Sequence, residues 1–404
     1  MIPIYKIRKF YYAIAMIVFS LISAYMLIND DNQTAMGSQR IFLARGILCL
    51  VWSICSMWYL KDIYIHPISS KENPFRHNII KWLGVFTIGI CISTTMTHMG
   101  TFKELCSDLL TFIAPLFIVL GSYIMARRYG IQSYFFFLTI LLFLSCLLSY
   151  FIIFSTYNTL VGNRGHFYSA YYFLFIFPIL LACDKRWIKY LGTILTIIIV
   201  FSSVKRAGVL ALCIAVFIYL FISTPKNITG IKRYLYFLLV LLFMMGTMYY
   251  SILYIGDDIV ARFLNADDTT GSGRTDIWIS LLQQLKAQDT ISWIIGNGYY
   301  STMKVSWMNK SAHNDFLETL YDYGMINTIC YTGFILSSIS YALQMIKQKS
   351  RYAASFAATL VMYLIISMLS IIIGKHIHTI FLLNLGLLIG WNEYDKYHQQ
   401  ELLN

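Results

Sequence analysis

The stretch SAHNDFLETLYDYG sets one histidine, His313, directly ahead of a helix-forming run, with Asn314 as a natural cap and Glu318 about one turn further on. A neutral imidazole can take a proton from a hydroxyl near pH 7, and Glu318 is placed to orient the ring or an acceptor. A loop histidine alone is more often solvated than catalytic. Cations elsewhere in the chain strengthen the case for this one. Lys205 and Arg206, in FSSVKRAGVL, stand between two apolar runs with hardly any loop. Arg274, in GSGRTDIW, follows a glycine-rich turn and opens an expected helix from about Thr275 to Lys286, where free backbone N–H groups favour an anion. Arg164 in GNRGH and Lys375 in GKHIHT complete the set. A guanidinium grips two phosphate oxygens at once, which a lysine point charge does not. Arg206 is therefore the strongest anion-binding candidate. The bland alternatives are snorkelling to lipid phosphates and, for Arg274, an exposed loop arginine.

Two acidic pairs, Asp257-Asp258 and Asp267-Asp268, offer a rival chemistry. Near-adjacent carboxylates can hold a divalent cation. In Gly/Thr-rich loops, however, Asp-Asp is common turn chemistry, and no metal site or other cofactor is assigned. His376 and His378, two positions apart, diverge on a helix and read as pocket wall or interfacial residues.

These residues must be positioned by apolar helices. Of 404 residues, 58% are hydrophobic and 12% charged, against about 25% charged in soluble domains. The fold class is all-α, a polytopic integral membrane protein. The net charge of +12 does not mark a nucleic-acid binder, because the cations lie in small clusters between apolar runs. That pattern orients membrane proteins. The eight cysteines show no CxxC spacing and read as small buried hydrophobes. The basic start KIRK precedes a retained first span rather than a cleaved leader.

Apolar runs predict about 12 spans, near 10–28, 41–60, 79–98, 107–126, 134–155, 167–183, 188–203, 207–223, 234–254, 325–344, 353–373 and 377–391. Basic clusters on alternate connections put both termini in the cytoplasm. The chain then forms one transmembrane domain, 1–404, whose long outer loop, 255–318, carries most of the candidate chemistry. Arg164, Lys205, Arg206 and Lys375 fall at expected outer ends, where no orienting rule requires a cation. A basic outward pocket suits an anionic ligand such as a lipid-linked phosphate.

VKRAGVLAL, GSGR…W…IIGNGYY and SAHNDFLETLYDYG closing a long outer loop resemble the bacterial O-antigen polymerase and O-antigen ligase superfamily (Wzy and WaaL). The upstream GNRGHFYSAYYF looks like that family's Arg-Gly segment. The likeness covers about 160–330. It implies a GT-C-like helical fold and a metal-independent glycosyltransferase in the bacterial inner membrane with its site facing the periplasm. Its donor would be an undecaprenyl-pyrophosphate-linked oligosaccharide repeat unit; its partners would be membrane lipid and a chain-length regulator, with no nucleic acid. By position, His313 matches the catalytic histidine, and Arg206 and Arg274 the pyrophosphate-binding pair. Arg164, Lys205, Asn314, Glu318, Lys375 and Tyr299 fall to substrate binding. HNDFLE with GNGYY looks more like the polymerase side; ligase is the alternative. A flippase or transporter is a third reading, although such proteins place their polar site at the midplane.

Overall fold

The computed structural model describes residues 4–30, 39–65, 78–130, 133–160, 169–203, 205–223, 274–306 and 310–403, with isolated positions 235, 238, 242 and 246. Every regular element among them is a helix: α1 Ile4–Asp30, α2 Gln39–Ile65, α3 Asn78–Thr97, α4 Phe102–Tyr129, α5 Ser133–Leu160, α6 Ser169–Ala182, α7 Arg186–Ser202, α8 Arg206–Ser223, α9 Arg274–Ala287, α10 Thr290–Ile295, α11 Ser301–Val305, α12 Asp315–Lys347, α13 Ala353–Leu369 and α14 His376–Leu403.

Sequence explains which helices are central. In SAYYFLFIFPILLA no face is polar, and a helix apolar all round must be enclosed; α6 is buried from Ala170 to Ala182. The stretch 376–392 of α14 is buried likewise. It packs on α4 through Gly386 and Gly390, four apart, where an added Cβ would meet the α4 backbone at Val119 and Tyr123. Small residues at this spacing let two helices approach closely. Around this centre α1 packs on α5, α2 on α4, α3 on α12 and α8 on α13. The outer faces expose Leu21, Leu43, Ile88, Leu148, Phe217 and Leu336, an apolar surface suited to lipid.

Four described helices are long and apolar enough to cross a membrane: Ile7–Ile28, Asn78–Thr97, Phe102–Tyr129 and Asp315–Lys347. Shorter apolar helices cover 41–57, 138–152, 170–182, 207–223 and 353–369. The expected ninth span, apart from isolated positions, lies outside the described residues, as do Arg164 and both acidic pairs.

Two expectations change. The tenth span does not begin at 325; it is the continuation of a helix that starts at Asp315 and kinks at Gly324, which has non-helical torsions (φ 78, ψ 177). His376 and His378 are not interfacial. Because α14 is enclosed, their rings are buried in the core. His376 Nε2 lies 2.9 Å from Ser23 Oγ, with the Phe19 ring at 5.8 Å, and His378 is stacked on Phe381.

Charges sort to the two ends of the bundle. Arg351, after α12, bonds Asp395 at 2.6 Å and lies 3.5 Å from Asp184, after α6; Arg127, ending α4, lies 3.3 Å from Glu393. At the other end stand the starts of α4, α8, α12 and α14 and the helices of the long window. There the candidate residues gather.

Candidate active site

The window from Arg274 has a small core of its own. Leu281 and Leu285 of α9 pack with Ala312 and Tyr321, flanked by Val305, Leu317 and Leu320. Trp278 Nε1 donates to the Ala312 carbonyl at 2.7 Å. Apolar contact and hydrogen bond together pin the residue immediately before His313.

His313 has a left-handed backbone, φ 51, uncommon for a side chain with a Cβ and a mark of sites where the surroundings over-determine the chain. Asn314 returns the backbone to extended (φ −153), and its Oδ1 accepts the N–H groups of Phe316 at 3.0 Å and Leu317 at 3.1 Å. This side chain is thus engaged as the cap of α12, a local role that any ligand contact must share.

Burial is the largest influence on the imidazole, followed by the positive charges of Arg274, Lys205, Lys310 and Lys375. All disfavour imidazolium, and the pKa falls from 6.5 to about 4. The ring is therefore neutral at pH 7 and stands in the positive field of cations from separate parts of the chain. Arg274 opens α9, half-buried, and its charge also reaches Tyr171 near the start of α6. Lys205 is half-buried between α7 and α8. Arg206 is the first residue of α8; its side chain lies outside the described residues.

Lys375 is held by the turn before α14. Asp315 Oδ1 accepts the backbone N–H groups of Ile372 at 2.9 Å and Ile373 at 3.3 Å. Lys375 Nζ lies 3.4 Å from the Tyr300 hydroxyl. Glu318, expected to face the imidazole or an acceptor, is buried beneath: its carboxylate is bonded to the backbone of Ala312 and stands in the field of Asp322, Asp315 and Lys375. Glu318 thus reaches His313 through the chain that carries it. Tyr299 is packed edge-on to Phe112 at 5.3 Å and lies 4.1 Å from the Tyr300 ring.

The GNGYY turn docks on the α12 kink. Where Gly324 interrupts the helix, the Tyr321 and Asp322 carbonyls accept from Asn297 N at 3.2 Å and Gly298 N at 2.7 Å. The Asp322 carboxylate accepts from Thr302 N at 2.7 Å and Thr302 Oγ1 at 2.6 Å. A Cβ at Gly296 would run into the backbone of Asp322 and Tyr323, so the approach requires glycine there.

Sequence reasoning passed over Asp315, Asp322, Tyr300, Thr302 and Lys310. A signal existed for the acids: with Glu318 they stand at i, i+3 and i+7, one face of a helix. Among the described residues no group of three or more His, Cys, Asp or Glu could hold a metal ion. The arrangement offers a neutral base beside converging cations, chemistry for moving a proton next to a bound anion.

Residues 191–332 match the family described as O-antigen ligase (Wzy_C). This segment includes Lys205, Arg206, Arg274, His313 and Glu318, and supports the O-antigen polymerase/ligase superfamily. No curated protein matches the chain.

Proposed function

We propose that the protein is a membrane glycosyltransferase of the O-antigen polymerase kind. It transfers an undecaprenyl-pyrophosphate-linked glycan onto the next lipid-linked repeat unit at the periplasmic face of the bacterial inner membrane. The superfamily match supports the general class. The observation that supports the reading further is the positive field of Arg274, Lys205, Lys310 and Lys375 at a neutral His313.

In this mechanism an acceptor hydroxyl attacks the anomeric carbon of the donor glycan. The carbon–oxygen bond to the lipid pyrophosphate breaks, and His313 takes the hydroxyl proton. Arg206 and Arg274 stabilise negative charge growing on the leaving pyrophosphate, as a metal does in other glycosyl transfers. In-line displacement inverts the anomeric centre. The free imidazole, with its pKa near 4, is a weak base. The arriving pyrophosphate offsets the cations and raises its basicity when the proton must move.

The matched family's description names a ligase, so the second reading is a ligase that transfers the glycan to lipid A-core; the match itself covers both activities. The lipopolysaccharide of a deletion strain separates them. Loss of the ladder with one repeat left on core means polymerase. Bare core with polymer stranded on its carrier means ligase. Unpolymerised repeats confined to the cytoplasmic leaflet mean a flippase and reject both.

A further inference from the structure

A cavity of about 680 Å³ lies against Tyr299 and Tyr300, between the start of α2, the end of α3, the start of α4 and the GNGYY turn. That volume is ample for a ligand of drug-like size. Its character differs from the His313 side. There the charges acting most on the imidazole are all positive. Here Arg45, Lys103 and Lys304 are offset by Glu104 and Asp108, with Asn297 and Tyr300 adding polar groups. His98 Nδ1 lies 3.9 Å from Asp108 Oδ2. Near-balanced charge, abundant donors and acceptors and a tyrosine wall suit a hydroxyl-rich ring, with aromatic faces for its C–H surface. They do not suit a polyanion. At the rim Met99 is 96% exposed, and Phe102, three residues on, is 80% exposed, two apolar side chains near the mouth.

We infer that this cavity is the acceptor subsite, holding the terminal sugars of the incoming glycan while its lipid runs out past Met99 and Phe102. Tyr300 joins the two regions: it lines the cavity and meets Lys375 at 3.4 Å. An acceptor seated against Tyr300 therefore lies next to Lys375, one of the cations assigned to the donor. The assignment rests on the glycosyltransferase reading and deepens it by giving each substrate its own place.

The test uses full-length protein in detergent with lipid-linked repeat unit as donor. The acceptor is the repeat-unit oligosaccharide freed from its lipid by mild acid; lacking pyrophosphate, it can only accept. Ser107→Trp, which fills the cavity, and Asp108→Asn, which removes a charged acceptor, should each raise the oligosaccharide KM about tenfold or more. Affinity for the donor should hold. As an independent measurement, saturating oligosaccharide should protect Ser107→Cys from maleimide, read by mass spectrometry of that peptide. Unchanged KM in both variants, loss of donor affinity instead, or no protection at position 107 would each overturn the subsite. If wild-type protein transfers nothing to the oligosaccharide, to a second lipid-linked repeat unit or to lipid A-core, the glycosyltransferase reading itself fails, and the subsite with it. Transfer to lipid A-core alone would also overturn the repeat-unit subsite.

Discussion

The Asp315 carboxylate accepts the Ile372 N–H at 2.9 Å, tying the residue two places after His313 to the turn that ends in Lys375. Base and cation are thus set by one buried side chain. Asp315→Ala should leave the Ile372 and Ile373 N–H groups unsatisfied, at about 1–3 kcal/mol each, and let Lys375 drift. Lower thermal stability in detergent together with a raised donor KM is expected; Asp315→Asn, which keeps an acceptor, should recover part of both.

His313→Ala should lower turnover about 10²–10⁴-fold, the usual contribution of a general base. Donor binding should hardly change, because the cations remain. His313→Gln should be nearly as poor. Turnover intact with weakened donor binding would make His313 a positioning group and send the search for a base to Glu318.

Because the imidazole titrates near 4 in the free protein, kcat/KM should stay level from neutral pH down to that region, then fall as imidazolium forms. The acid limb of kcat should lie higher, since bound pyrophosphate favours the protonated ring. Removing a neighbouring cation acts in the same direction: Arg274→Ala should move the kcat/KM limb upward. A limb that ignores this substitution would argue against His313 as the titrating group.

Inorganic pyrophosphate should raise the Tm of the wild-type protein, since it binds the folded cation cluster. The shift should shrink in Arg274→Ala and Arg206→Ala, and Arg206→Lys should restore it poorly. Transfer should also persist in excess EDTA. Strict dependence on added Mg²⁺ or Mn²⁺ would promote Asp257-Asp258 and Asp267-Asp268 over the arginines.

Gly324→Ala should destabilise the protein by more than the usual helix preference for alanine would suggest. Its φ of 78 is unfavourable to a side chain, and a Cβ there would press on the Ile294 carbonyl. Thermal unfolding should show the loss, and limited proteolysis should show the 296–306 segment released from α12.

Much of this architecture is written in local pattern. The start of α9, the Asn314 cap and the apolar runs follow from hydropathy and capping, which depend on neighbours in sequence. What stayed hidden depends on distant partners. Asp322 reads as one more polar residue until Thr302 is folded against it. His376 and His378 look polar enough for a surface, yet α14 is walled in by helices far away in the chain. The cavity is invisible in sequence for the same reason, because Arg45 and Asn297 become neighbours only through the bundle.

The convergence on His313 also has a history within each molecule. Lys205 is synthesised and inserted long before Lys310, and Lys375 arrives last, with the turn that Asp315 must catch. A nascent chain cut short before α14 therefore carries a histidine and most of its cations but no finished site, and its α12 carboxylate is still without its turn. Docking of α14 brings like charges into company against their repulsion, and its burial against α4 and α6 offsets that cost. The turn before α14 is thus what brings Lys375 into the field of His313.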